Sequence, residues 1–107
     1  MTAASDELVR LHAENGVATV TLNQPERRNS LSMALLEALS EVLEQIAGDG
    51  NVRVVVLAAA GKVFCAGHDL REMREQFDSH DFQLRLFRQC SKVMQQIVNL
   101  PKPVIAR

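Results

Sequence analysis

The sequence predicts an α/β fold, and three observations carry that reading. The most apolar run, Val52 to Ala60, holds Val54-Val55-Val56-Leu57 and is closed by Gly61. A β-branched run of that length reads as a strand buried on both faces, as in a parallel sheet. Upstream, Asn15-Gly16 separates two strand-like runs and carries the signal of a tight hairpin. Between hairpin and apolar run, Leu35, Leu36, Leu39, Val42, Leu43 and Ile46 fall on one helical stripe. Hairpin, helix and strand in that order imply a crossover.

Each element has its own warrant. Residues 1–6 are polar and expected to be frayed. Leu8 to Ala13 is the first strand and Val17 to Leu22 its return. In the second, Val17, Thr19 and Thr21 share one face and Ala18, Val20 and Leu22 the other. Both faces tolerate burial, which places that strand inside a sheet. Asn23 to Ser30 is a polar loop containing Pro25, and Ser30 or Ser32 can cap the helix that follows. Gly48 and Gly50 end this helix, and the apolar strand at 52–59 comes next. A short helix spans roughly 70–76. A longer one begins near Ser79 or Asp81, with Leu86, Phe87, Cys90, Val93, Met94, Ile97 and Val98 as its core stripe. Pro101 stops it, and Val104-Ile105-Ala106 starts another strand.

Composition narrows the function classes. A chain of 107 residues allows one small domain, and 47% hydrophobic with 23% charged residues is globular. Trp and Tyr are absent and only four Phe occur, which argues against a base-stacking surface. Net charge is −1 with scattered Lys and Arg, so no nucleic-acid-binding face is expected. No stretch approaches the roughly 20 apolar residues of a membrane span. Cys65 and Cys90 lack metal-ligand spacing, and the N-terminus carries no secretory or transit pattern. A cytoplasmic, reducing location is the expectation, although spacing alone leaves a Cys65–Cys90 disulfide open.

The chemistry concentrates in Lys62-Val63-Phe64-Cys65-Ala66-Gly67-His68-Asp69-Leu70. It reads as strand end, small-residue loop and helix start. Ligands of α/β proteins bind at the carboxyl ends of strands, where exposed N–H groups suit an anion or a polarised carbonyl oxygen. Asp69, just before a helix, reads as its N-cap before it reads as a catalytic carboxylate. Cys65 has no visible activating base and reads as a small buried residue. His12, His68 and His80 show neither triad nor metal spacing. Glu37, Glu41 and Glu44 form a solvated helix face.

Phe64-Cys65-Ala66-Gly67-His68-Asp69-Leu70 resembles the F-x-A-G-x-D-L/I segment of the crotonase superfamily, the enoyl-CoA hydratases and isomerases. Gly16 to Asn23, Arg28-Asn29-Ser30-Leu31 and Leu100 to Ala106 fit the same family in order. His68 departs from the commonest pattern, which has a small residue there. The resemblance covers nearly the whole chain after the first few residues and makes 1–107 the N-terminal portion of one crotonase-like domain, a spiral of β-β-α units.

The resemblance implies an enzyme acting on an acyl-CoA thioester, with the enolate held by backbone N–H groups. The Ala66 N–H is one such donor, and hydration of a 2-enoyl-CoA is the implied reaction. Arg28 would face the coenzyme A phosphates and the next residues, Ser30 among them, the pantetheine; the backbone around His68, Asp69 and Leu70 would meet the adenine, and Ala66 and Gly67 would also contact the substrate. On the residues alone, Arg28 could equally be a solvated loop arginine beside Arg27. No tightly bound cofactor is implied, since coenzyme A arrives with the substrate, and the complete protein would be a homo-oligomer, trimeric or a pair of trimers. The family's second oxyanion donor and its acid/base carboxylates lie past Arg107. These 107 residues alone are therefore expected to be inert and marginally stable. The alternatives are a non-catalytic acyl-CoA-binding protein, or a fragment of a longer enzyme without activity of its own.

Overall fold

The computed structural model describes residues 7–107, so the expected fraying of 1–6 lies outside the described residues. Asn15 and Gly16 both take positive φ, 53° and 82°. That pair of left-handed residues makes the hairpin turn matching the natural twist of two strands. It folds β1 (Val9–Glu14) back antiparallel on β2 (Val17–Leu22), with Val9 opposite Leu22 and Glu14 opposite Val17. β2 then pairs parallel with β3 (Val54–Ala59), and β3 pairs parallel with β4 (Val104–Ala106). The sheet order is β1-β2-β3-β4, and β2 is an interior strand.

Helix α1 (Met33–Ala47) connects β2 to β3. Of the two candidate caps, Ser32 does the capping: its side chain accepts the Leu35 N–H at 3.1 Å. Ser32→Ala is expected to cost about 1 kcal/mol, read from urea unfolding. At the other end, Lys102 Nζ donates to the carbonyls of Ile46 and Asp49. A cation there satisfies orphan carbonyls and complements the helix dipole.

Helix α2 (Leu70–Glu75) is short; α3 (His80–Asn99) carries the chain back to β4. Ser79, not Asp81, caps α3 by accepting the Phe82 N–H at 3.1 Å. Asp81 instead pairs with Arg85 one turn on, at 3.4 Å. In the core, Val9, Ala18, Val20, Leu22 and Val55 of the sheet meet Leu35, Leu36, Leu39, Leu43 and Ile46 of α1 and Leu86 and Val93 of α3.

Two expectations need correction. The apolar run begins as a turn: the Val52 N–H reaches the Asp49 carbonyl at 3.2 Å, and pairing starts only at Val54. Within β3, Val55 and Ala58 are buried, while Val54, Val56, Leu57 and Ala59 are half-buried. Likewise the predicted α3 stripe is split. Leu86 and Val93 are buried and Phe82, Cys90 and Ile97 pack beside them, but Phe87, Met94 and Val98 are exposed. A single α1 neighbour covers about one stripe width, so positions one residue further round the helix stay outside.

Candidate functional site

The site is made where the loop after β2 meets the loop after β3, and the contacts between them form a short ladder. The Ala66 N–H donates to the Arg28 carbonyl at 3.0 Å. The Leu31 N–H donates to the Gly67 carbonyl at 2.7 Å, and the Asp69 N–H to the Leu31 carbonyl at 3.4 Å. The Ser30 hydroxyl donates to Asp69 Oδ2 at 3.2 Å, and the Met33 N–H to Glu72 Oε1 at 2.9 Å. α1 has no acidic residue in its own first turn; Glu72 brings one from α2. Its negative charge suits a helix N-terminus.

Asn29 anchors the first loop. It is fully buried, with φ of 53°, a conformation Asn tolerates better than most residues. Its side-chain oxygen accepts the Gln24 N–H at 2.8 Å, and its amide donates to the carbonyls of Ala60 at 2.9 Å and Val63 at 3.0 Å. Sequence reasoning placed Asn29 in the Arg28-to-Leu31 family segment without giving its side chain a role of its own. Its available signal was an amide in a polar loop, the right chemistry for tying loops but not specific for it.

The predicted site residues are placed as follows. Arg28 has left-handed φ of 55° and an exposed side chain. Its neighbour Arg27 turns inward, 3.9 Å from Asp69 Oδ2. Ser30 is buried, and Asp69 is 4% exposed with its carboxylate committed. Asp69 caps α2 by accepting the Glu72 N–H at 3.0 Å, as its position before the helix suggested. Gly67 takes φ of 89°, where a side chain would be strained although space is open. Leu70 is 72% exposed at the start of α2. Cys65 and Cys90 are free thiols, and Cys65 packs against the core. Glu26, Arg27, Ser30, Asp69 and Arg71 line an open cleft of about 440 Å³. Arg71, a second cation on this cleft, was not singled out from the sequence.

Ala66 and His68 differ in what their amides do. The Ala66 N–H, assigned by resemblance to an oxyanion, is occupied by the Arg28 carbonyl. Leu31 and His68 form a parallel bridge, in which Leu31 bonds the residues on either side of His68. In that pattern the central residue's own N–H points away from the bridge. Among the described residues the His68 N–H accordingly has no acceptor. Its imidazole meets the Phe87 ring edge-on, with centroids 5.3 Å apart and planes at 83°. Among the described residues no cluster of His, Cys, Asp and Glu could hold a metal ion. No helix among them is long and apolar enough to cross a membrane.

An N–H left unbonded in the loop after a parallel strand is chemically able to receive an anion or a polarised oxygen. Comparison with known proteins makes the class specific. The sequence profile of the enoyl-CoA hydratase/isomerase family matches residues 12–107. Human enoyl-CoA hydratase domain-containing protein 3, mitochondrial, is 39% identical over 86% of this chain and 30% of its own length. The 1,2-epoxyphenylacetyl-CoA isomerase of Escherichia coli is 38% identical over 92% of this chain and 38% of its own. The crystal structure of a Mycobacterium smegmatis enoyl-CoA hydratase superposes with a TM-score of 0.87 at 51% identity, covering 92% of this chain and 38% of that one. The chain belongs to the enoyl-CoA hydratase/isomerase family and has the crotonase fold. It spans about a third of the length of the curated relatives it matches, 30% to 36% for three of the domain-containing protein 3 sequences.

Proposed function

We propose that this chain supplies the coenzyme A cleft and one oxyanion donor of an enzyme acting on acyl-CoA thioesters, with hydration of a 2-enoyl-CoA as its reaction. The observation that carries the reading is the His68 N–H, which has no acceptor among the described residues and lies in the loop that follows a parallel strand. On this reading the donor is the amide of His68, and the Ala66 amide holds the loop in place. The N–H polarises the thioester carbonyl and stabilises the enolate charge that develops on its oxygen. Proton transfer comes from groups other than Asp69, whose two oxygens are engaged by Glu72 and Ser30. That engagement of the one buried carboxylate at the site also favours the second reading, a non-catalytic acyl-CoA-binding protein.

The phosphates lie with Arg28, whose fork is free to pair bidentately while Arg27 is drawn to Asp69. Ser30 and the segment from Gly67 to Leu70 border the pantetheine and adenine. No tightly bound cofactor is required, since coenzyme A comes with the substrate. The protein assembles as a trimer or pair of trimers, as the family resemblance implies.

Isothermal titration with acetyl-CoA tests binding, and loss of crotonyl-CoA absorbance tests hydration in a form extending over the relatives' full length. Binding without hydration would select the second reading; no binding would reject both. Arg28→Ala is expected to weaken coenzyme A thioester binding about ten-fold or more, the scale of a lost charged hydrogen bond. The corresponding pantetheine thioester, lacking the nucleotide phosphates, should lose little. Equal losses for both ligands would remove Arg28 from the phosphate role.

A further inference from the structure

The side chain of His68 sits beside the amide just assigned to the thioester oxygen. A hydrogen bond of about 3 Å from that N–H leaves the carbonyl carbon and its neighbour within about 5 Å of the His68 backbone. Any side chain at this position therefore stands close to the first carbons of the acyl group or turns sharply away. The imidazole is half-buried, and its Nδ1 is buried without a hydrogen-bond partner. No polar contact orients that edge of the ring. The ring instead packs against Phe87, with the two planes nearly perpendicular, from the middle of α3. Edge-to-face pairs have a defined geometry and hold their partners in it. Phe87 itself is 45% exposed and lies outside the buried core, so its contact with His68 is not a by-product of core packing.

We infer that the His68 imidazole, held in place by Phe87, is the specificity-determining wall of the acyl site and restricts the width of the acyl group beside the thioester. The inference rests on the proposed role of the His68 amide and extends it to the side chain. Linear 2-enoyl groups pass the wall; acyl groups carrying a methyl branch at the carbon next to the thioester meet the ring. Phe87 acts through His68 and is a positioning residue.

The test compares competition binding of crotonyl-CoA, its α-methyl-branched analogue and coenzyme A itself to the full chain. One methyl group in a fitted pocket changes affinity about ten-fold or more, and wild type should prefer the linear acyl group by that factor. Phe87→Ala and His68→Ala should each reduce the preference to about two-fold or less, while Phe87→Tyr, which keeps the ring edge, retains it. In Phe87→Ala, coenzyme A should bind as in wild type, which general loss of structure would not allow. A preference unchanged in both alanine variants, with thioester binding intact, would overturn the inference alone. Failure of the wild-type chain to bind any thioester would overturn the proposed function and this inference with it.

Discussion

Exchanging the Gly67–His68 peptide for an ester is expected to lower turnover about 10²–10³-fold, the cost of one oxyanion donor. The exchange replaces the His68 N–H with an oxygen and leaves the side chain in place. That N–H donates to no described protein group, so folding should lose only what the weaker ester carbonyl of Gly67 takes from its bond to the Leu31 N–H. The loss should fall on kcat and kcat/KM together, since the interaction strengthens as charge reaches the thioester oxygen. The same exchange at the Cys65–Ala66 peptide should do the reverse. It removes the bond to the Arg28 carbonyl, so stability should fall and the two loops should separate. The measurement is crotonyl-CoA hydration alongside urea unfolding for both esters, in the form extending over the relatives' full length. Full turnover in the His68 ester would place the donor elsewhere, and a catalytic loss in the Ala66 ester without destabilisation would return the role to Ala66.

Asn29→Ala is expected to be the most destabilising single change in the two loops. Three polar groups lose their partner at once: the Gln24 N–H and the carbonyls of Ala60 and Val63. Each unsatisfied buried group costs about 1–3 kcal/mol, and alanine adds strain at a positive φ. A loss of about 3–5 kcal/mol is a large share of the 5–15 kcal/mol that holds a typical domain together. Asn29→Asp should be no better, because it keeps the acceptor for Gln24 but turns a carboxylate on two carbonyl oxygens. Urea midpoints of the two variants test this. A change below about 1 kcal/mol in Asn29→Ala would mean that water or loop movement replaces all three bonds.

Much of the fold was legible because its signals are local. Asn15-Gly16 names a turn by its own backbone preference, and the Leu35-to-Ile46 stripe names a helix and its buried face by spacing. Asp69 declared itself as a cap by standing before Leu70. The family was legible too, since the four motifs are short, ordered and contiguous in the chain.

What only the tertiary structure decided lies between segments distant in sequence. Nothing in Ala66-Gly67-His68 says which amide is spent, because the acceptor is the carbonyl of Arg28, brought up by the loop after β2. The difference between Arg27 and Arg28 follows from Asp69, which draws one guanidinium inward and leaves the other outside. Both Leu86 and Phe87 fit an apolar stripe on paper, yet only Leu86 reaches the core, while Phe87 meets His68. Helical spacing limits which side chains share a face, but the position of α1 selects which part of that face is covered. Hydrogen-bond partners and the outer edge of a stripe depend on where the neighbouring elements come to rest, and no single segment encodes that.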